Sequence, residues 1–214
     1  MQNIKCFLLD MDGTFFISDH LLPGAVQFLN LLKEKKIPFY FLTNNSSKDK
    51  SFYFRKLNRL GLKVDSERIF TSGEATAIYL IQHYCNARVY AVATPELEHE
   101  LEKGGVKLTK VNPDIVVLGY DTSLTYDKLA KFCEFVSSGI KYIVTHPDVN
   151  FPVDDGFIPD IGAIMAFIKA TTNRRPDIII GKPYMPILSA LEVKSGFDIK
   201  DMAMVGDRLY TEWR

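Results

Sequence analysis

The sequence predicts an α/β fold in which a mostly parallel sheet is flanked by helices. Three observations support this prediction. Short apolar runs alternate with amphipathic segments along the whole chain, which is typical of β–α units. Polar clusters follow four of the apolar runs, at the strand ends where open parallel sheets bind ligands. The units outnumber those that one small sheet needs, so two modules are expected, although no Pro/Gly/Ser-rich linker separates them.

The composition is that of an ordinary globular protein. The chain has 214 residues, 47% apolar and 24% charged, and its 26 Lys and Arg balance its 26 Asp and Glu. This balance indicates neither a nucleic-acid nor a membrane partner. The sequence contains neither an apolar run near the ~18 residues of a membrane span nor a signal peptide. Cys6, Cys85 and Cys133 are widely spaced and odd in number, which argues against disulfides or a zinc site and favours a cytoplasmic location.

The first strand, within residues 4–15, carries the unusual stretch Asp10-Met11-Asp12-Gly13-Thr14. Residues i and i+2 of a strand share a face, so Asp10 and Asp12 are expected to point the same way. Two carboxylates held close repel each other and require a cation or a shared proton. This stretch is therefore a candidate site.

The first part of the chain is expected to continue with alternating helices and strands. A helix follows Gly24, and a second helix ends at Gly61, since glycine commonly terminates helices. The predicted strands are 37–42 and 68–71, and the predicted helices include 48–60 and 75–84.

The alternation continues through the second part of the chain. Thr94-Pro95 is expected to begin a helix, and Thr125 to cap another that Gly139 closes. Further predicted helices are 161–170 and 187–194, and the predicted strands are 89–93, 115–118, 142–145, 178–180 and 202–205.

The polar clusters at the strand ends contain the groups that phosphoryl transfer needs. Each cluster alone is explained by turns or helix caps, but four such clusters together favour a site. One carboxylate can attack phosphorus while a second protonates the leaving oxygen and then activates water. Mg²⁺ accepts carboxylate ligands, lysine neutralises charge, and backbone N–H groups of a turn hold phosphate. The candidates are Asp10, Asp12, Thr14, Thr43, Asn44, Asn45, Ser46, Lys182 and Asp207.

These residues resemble the four motifs of the haloacid dehalogenase superfamily, in the family's order. Asp10-Met11-Asp12-Gly13-Thr14 matches the first motif, Thr43-Asn44 the second, Lys182 the third and Gly206-Asp207 the fourth. The sequence around Thr43 and the segments Thr71-Ser72-Gly73-Glu74 and Gly181-Lys182-Pro183 are similar to those of the NagD and 4-nitrophenylphosphatase branch. The resemblance implies a Rossmann-like core from residues 1–85 and 178–214, and an inserted type-2 α/β cap from residues 86–177.

The resemblance also implies a function and a role for each matching residue. It predicts an enzyme that hydrolyses small phosphomonoesters and depends on Mg²⁺. Asp10 is the expected nucleophile and Asp12 the general acid and base, since Asp rather than Thr at this position favours a phosphatase over an ATPase. The expected phosphate-binding residues are Gly13, Thr14, Thr43, Asn44 and Lys182, and the expected metal ligands are Asp10, Asp12 and Asp207.

The cap is expected to supply substrate specificity. His146 and Asp148 follow a predicted cap strand, and they are candidate substrate contacts. A turn histidine without a ligand role is the more common alternative for His146. The expected partner is a small-molecule phosphate ester rather than a nucleic acid or a membrane.

Two features depart from the family pattern. Glu212 stands where the family usually has a further Asp, and the chain stops at Trp213-Arg214, where relatives are expected to continue with helices and another strand. The strand at 202–205 would then be an edge strand. A fragment, a disrupted gene product or a homo-oligomer would each account for this.

Two other functions remain open from the sequence. The first is a catalytically impaired remnant that binds phosphate and Mg²⁺ without turnover. The second is a receiver-type phospho-acceptor module, which also clusters Asp, Thr and Lys but is smaller and places its acceptor on a later strand.

Overall fold

The computed structural model describes residues 4–153 and 155–207, and it contains two parallel sheets. The helices are α1 (Ala25–Glu34), α2 (Lys50–Arg59), α3 (Ser72–His83), α4 (Pro95–Lys103), α5 (Tyr126–Ser137), α6 (Ile161–Thr172) and α7 (Met185–Ser195). The strands are β1 (Cys6–Asp10), β2 (Phe16–Ile17), β3 (His20–Leu21), β4 (Phe39–Thr43), β5 (Ile69–Thr71), β6 (Arg88–Val92), β7 (Lys107–Leu108), β8 (Ile115–Leu118), β9 (Lys141–Val144), β10 (Asn150–Val153), β11 (Gly156–Pro159), β12 (Ile178–Ile179) and β13 (Met202–Val205). The fold is mixed α/β, as predicted.

The first sheet carries most of the predicted site. Its strand order is β13-β1-β4-β5, and all its pairs are parallel. The central strands β1 and β4 are buried almost throughout, which explains their continuous apolar sequences. Parallel pairing brings the carboxyl ends of β1, β4 and β13 to one edge, so the residues that follow these strands meet there.

The second sheet has the order β12-β9-β8-β6-β7 and is also parallel. Its strands β8 and β9 are apolar and largely buried. The core was predicted to resume at residue 178, but β12 begins at that residue and belongs to the second sheet. Ile178 and Ile179 pair with Ile143 and Val144, so the chain leaves the second sheet only after β12.

Three short structures were absent from the sequence prediction. Two are antiparallel hairpins, β2–β3 and β10–β11, and the third is β7. These strands are short and largely exposed, and β10 contains Pro152, so neither length nor apolar alternation marks them as strands.

Several helix starts follow local capping rules. The hydroxyl of Thr94 accepts a hydrogen bond from Leu97 N, and that of Thr125 accepts one from Lys128 N, as the sequence predicted. Helix α3 begins at Ser72, three residues before the predicted start, because the hydroxyl of Thr71 caps it by accepting from Glu74 N at 2.9 Å.

The two sheets meet at the loop that follows β4, residues 44–47. The hydroxyl of Ser46 accepts a hydrogen bond from Tyr120 N and lies 2.9 Å from the hydroxyl of Thr145. The hydroxyl of Thr94 donates to Ser47 O at 3.0 Å. One apolar cluster contains side chains from both sheets, including Leu8 and Val117. The carboxyl ends of both sheets therefore converge on one loop.

Strand β13 pairs with β1 and, within residues 4–153 and 155–207, with no other strand. Its four residues are only partly buried. A search of the same residues found no helix with the length and apolar character of a membrane span.

Candidate active site

The centre of the candidate site is an ion pair between Asp10 and Lys182. The Lys182 ammonium lies 2.7 Å from Asp10 Oδ1, and both residues are at least nine-tenths buried. Asp10 is the last residue of β1, and Lys182 follows β12 after Ile180 and Gly181. Lysine is seldom buried this deeply without a charged partner, so the two side chains depend on each other.

Burial raises the pKa of the Asp10 carboxyl above its ordinary value. The positive charge of Lys182 and its hydrogen bond oppose this rise, and the negative charge of Asp207 adds to it. The carboxylate form of Asp10 therefore depends on nearby positive charge.

The Asn44 side chain fixes the segment that carries Lys182. Its Oδ1 accepts a hydrogen bond from Lys182 N at 2.8 Å, and its Nδ2 donates to Lys182 O at 3.0 Å. Nδ2 also lies 3.2 and 3.3 Å from the two carboxylate oxygens of Asp148. A Cβ at Gly181 would lie 2.6 Å from Asn44 Oδ1 and 2.7 Å from His146 Cβ. Only glycine permits this approach.

The turn after β1 brings Asp207 against Gly13. Gly13 has φ +88°, and a Cβ there would lie 2.6 Å from Asp207 Oδ2. The Thr14 hydroxyl donates to Asp207 Oδ1 at 3.4 Å. Gly13 N and Thr14 N donate to Phe16 O and Met11 O, so both N–H groups are hydrogen-bonded within the turn. The Thr43 hydroxyl accepts from Asn45 N at 3.1 Å.

These residues enclose a small polar cavity of about 30 Å³, here called the inner chamber. The first sheet contributes Asp10, Asp12, Thr43 and Asn44, and Lys182 also lines it. The chain between β9 and α6 forms the opposite wall with Asp148, Asn150, Phe151, Pro152 and Asp160. A cavity this small holds a group of only a few heavy atoms.

His146 is fully buried and is not among the residues that line the inner chamber. Its Nδ1 lies 3.6 Å from Asp148 Oδ2 and its Nε2 3.7 Å from Asp160 Oδ1. Both distances exceed that of a hydrogen bond, and neither ring nitrogen has a hydrogen-bond partner among the residues that the structure describes. Of the two predicted cap contacts, the structure brings Asp148 alone to the chamber wall.

The predicted metal ligands offer oxygen donors of the kind that Mg²⁺ prefers. The effect of Asp207 on the pKa of Asp10 places two like charges close enough to interact, which suits a bound cation. Among the residues that the structure describes, the one group of three ligating side chains is His146, Asp148 and Asp160, whose ligand atoms lie within 4.8 Å of one another. Glu212 lies outside the described residues.

The sequence analysis missed Phe151, Pro152 and Asp160, which form part of the chamber wall. The only local signal was Asp160, which precedes a predicted helix and indeed caps α6 through Ile161 N at 2.6 Å. We looked for site residues directly after the predicted strands, where parallel sheets bind ligands. The hairpin β10–β11 does not directly follow a predicted strand, so its residues were not considered.

Comparisons with known proteins agree with this geometry. Residues 7–107 match the family model of haloacid dehalogenase-like hydrolases. The chain is 36% identical over 214 residues to an acid sugar phosphatase of Staphylococcus saprophyticus, covering 99% of this chain and 82% of that protein. It is 31% identical over 212 residues to the 5'-nucleotidase YutF of Bacillus subtilis, covering 99% and 82%.

Solved structures give the same result. The 4-nitrophenylphosphatase of Thermotoga maritima matches with a TM-score of 0.94 and 46% identity, covering 99% of this chain and 81% of that one. A structure described as a putative NagD protein also matches with a TM-score of 0.94 and 46% identity, covering 99% and 83%. These matches run along 99% of this chain and along 81–83% of each of these relatives.

Proposed function

The chain belongs to the haloacid dehalogenase-like hydrolases, in the branch of NagD and the 4-nitrophenylphosphatases, and is a phosphatase; from this premise we propose that it hydrolyses small phosphomonoesters through an aspartyl-phosphate, with Mg²⁺ as cofactor. The observation that carries the proposal is the buried Asp10–Lys182 pair at the inner chamber. The chamber admits a group of only a few heavy atoms, and its wall presents a carboxylate beside an ammonium group.

In the first step, a carboxylate oxygen of Asp10 attacks phosphorus and the bond to the leaving oxygen breaks. Asp12 donates its proton to that oxygen, so the product leaves as a neutral alcohol. In the second step, Asp12 takes a proton from water while the water oxygen attacks phosphorus. The bond to Asp10 then breaks, which restores the carboxylate and releases inorganic phosphate.

The remaining site residues hold the phosphoryl group in place. Lys182 offsets negative charge as the phosphoryl group is transferred. Asn44 positions Lys182 through its two hydrogen bonds to the Lys182 backbone. Thr43 lines the chamber, and Thr14 holds the Asp207 carboxylate.

Asp10, Asp207 and the backbone carbonyl of Asp12 are the groups that would hold Mg²⁺. The oxygen character of these donors and the interaction of Asp207 with Asp10 support this choice. The bound cation would neutralise charge on the phosphoryl oxygens. We also propose a cytoplasmic location, supported by the free thiols of Cys6, Cys85 and Cys133.

The test is turnover of 4-nitrophenyl phosphate, with Mg²⁺ and with EDTA, by the wild type and by Asp10→Asn. We expect EDTA to abolish turnover, and Asp10→Asn to lower kcat by about 10⁴-fold or more because the nucleophile is lost. Asp121→Asn is the matched control, since Asp121 is also a buried acid near a lysine but lies after β8. Substantial turnover by Asp10→Asn would refute the proposed nucleophile, and a wild type without turnover would favour a binding remnant.

A further inference from the structure

A histidine and two aspartates form a cluster at the wall of the inner chamber between β9 and α6. They are His146, the second residue after β9, Asp148 in the following loop, and Asp160, which caps α6. One ligand atom from each side chain lies within 4.8 Å of those from the other two. Asp148 and Asp160 line the inner chamber, and His146 lies behind them. None of the three is a predicted Mg²⁺ ligand.

The His146 ring is the best evidence that this cluster binds a ligand. The residue is completely buried, and neither ring nitrogen has a hydrogen-bond partner in the described part of the chain. Buried polar groups are nearly always satisfied, because leaving one without a partner costs stability. Nδ1 lies 3.6 Å from Asp148 Oδ2, and Nε2 lies 3.7 Å from Asp160 Oδ1. The ring is therefore aimed at the two carboxylates without bonding to either.

The two carboxylates make the cluster suitable for a cation. The Asp148 side chain is 15% exposed and that of Asp160 is 2% exposed, and buried carboxylates ordinarily pair with a charge or bind a metal. Within residues 4–153 and 155–207, Asp148 forms no ion pair with a lysine or arginine. A protonated His146 would donate hydrogen bonds of about 2.7–3.2 Å to these oxygens, and the observed distances are longer.

The backbone holds the three side chains in place. Asp160 N donates to Val149 O at 3.1 Å, and Gly162 N donates to Asp148 O at 2.7 Å. A Cβ at Gly162 would lie 2.7 Å from Pro147 O and 2.8 Å from Val149 Cα. The loop after His146 is therefore packed tightly against the start of α6, and the ligand positions exist before an ion binds.

The donor set selects the class of ion. One imidazole nitrogen and two carboxylate oxygens suit Zn²⁺ and related transition metals, whereas Mg²⁺ prefers oxygen ligands alone. Bonds of about 2.0–2.1 Å to a tetrahedral Zn²⁺ place its ligand atoms about 3.4 Å apart. The separations of 3.6 and 3.7 Å are close to this value. Since one ring nitrogen binds the ion, the carboxylate at the other nitrogen has to move inward.

We propose that His146, Asp148 and Asp160 bind a divalent transition-metal ion, with Zn²⁺ as the best fit, at a site separate from that of Mg²⁺. The ion joins the loop after β9 to the start of α6. It also places positive charge in the chamber wall opposite Asp10. Binding at this site requires no turnover, so it is independent of the proposed function.

The first test measures the Zn²⁺ content of the full chain. The protein is stripped with EDTA, dialysed against trace Zn²⁺ with excess Mg²⁺ to fill the oxygen site, and analysed by atomic emission. The wild type should hold about one Zn²⁺ per chain more than His146→Asn, because the nitrogen ligand is lost. His99→Asn is the control, since His99 is exposed, and it should match the wild type. Equal Zn²⁺ content in the wild type and His146→Asn would overturn the proposal.

Asp160→Asn tests the same site without depending on the buried histidine. Asparagine also caps helices, so the variant keeps the start of α6 and loses only the charge. It should weaken Zn²⁺ binding by about tenfold or more, because affinity follows the charge of the ligands. Asp49→Asn is the matched control, since Asp49 caps α2 by accepting from Phe52 N at 2.8 Å.

Thermal unfolding supplies the second readout. Zn²⁺ should raise the Tm of the wild type and of Asp49→Asn, because an ion that binds the folded state stabilises it. It should raise the Tm of Asp160→Asn much less, and the Tm without metal shows whether each variant is folded. If Asp160→Asn binds Zn²⁺ as tightly as the wild type, the assigned ligands are wrong.

Discussion

Asp10 ends a strand of the first sheet, and Asp121 follows a strand of the second. Both acids are buried and both pair with a lysine, Lys182 and Lys128 respectively. Their remaining contacts differ. Asp121 Oδ1 accepts hydrogen bonds from Ser123 N at 2.8 Å and from the Ser123 hydroxyl at 2.6 Å, and Oδ2 faces Lys128. Asp10 lines the inner chamber.

The hydroxyl groups at the carboxyl edges of the two sheets differ in the same way as the two acids. Thr94 and Thr145 of the second sheet bond to the loop at 44–47. The Thr43 hydroxyl of the first sheet also accepts a hydrogen bond from that loop, from Asn45 N, but Thr43 lines the inner chamber as well. Strand-end position and burial are therefore shared by both edges. A polar group is a candidate for chemistry when it also faces a cavity large enough for substrate.

Among the substitutions that test this comparison, Asp12→Asn is expected to have the largest effect. Asparagine cannot transfer the proton, so we expect kcat for benzyl phosphate to fall by about 10²–10⁴-fold. The fall should be smaller for 4-nitrophenyl phosphate, because its leaving oxygen needs little protonation. Steady-state kinetics with both esters measure the two ratios. An equal fall for both esters would contradict the role of Asp12 as proton donor.

A smaller effect is expected from Ser46→Ala, at the loop where the sheets meet. Ser46 is fully buried, and its loss leaves Tyr120 N and the Thr145 hydroxyl without this partner. The free energy of unfolding should fall by about 1–3 kcal/mol, with kcat nearly unchanged. Urea unfolding measures this change, and the exposed Ser51→Ala is the control. A large fall in kcat at unchanged stability would mean that Ser46 takes part in the chemistry.

The sequence predicted much of the first sheet and of its site because both follow from local patterns. Continuous apolar runs mark β1 and β4 as buried parallel strands, and parallel pairing brings Asp10, Thr43 and Asp207 to one edge. Lys182 was identified from its place after a predicted strand and from the resemblance, although its burial against Asp10 depends on Asn44, 138 residues away. The position of Phe151 in the inner chamber wall and that of Phe157 on the paired strand could not be predicted. They arise from an exposed hairpin that has no apolar periodicity and lies opposite the first sheet only in the folded chain.

The smallest expected effect concerns Glu100, a carboxyl between the two sheets that has neutral hydrogen-bond donors. It accepts from the Thr71 hydroxyl at 2.8 Å and from Lys50 N at 3.2 Å. Burial raises the pKa of Glu100 to about 7. Because the folded state holds this proton more tightly than the unfolded chain, the free energy of unfolding should fall as the pH rises from below 5 to about 7. Glu100→Gln should flatten this dependence in urea unfolding at pH 5 and pH 8, whereas Glu102→Gln, exposed on the same helix, should retain it. If Glu100→Gln keeps the wild-type slope, Glu100 is ionised over the whole range from pH 5 to pH 8. A buried carboxyl with only neutral hydrogen-bond donors would then be ionised, as Asp10 is, without a lysine beside it.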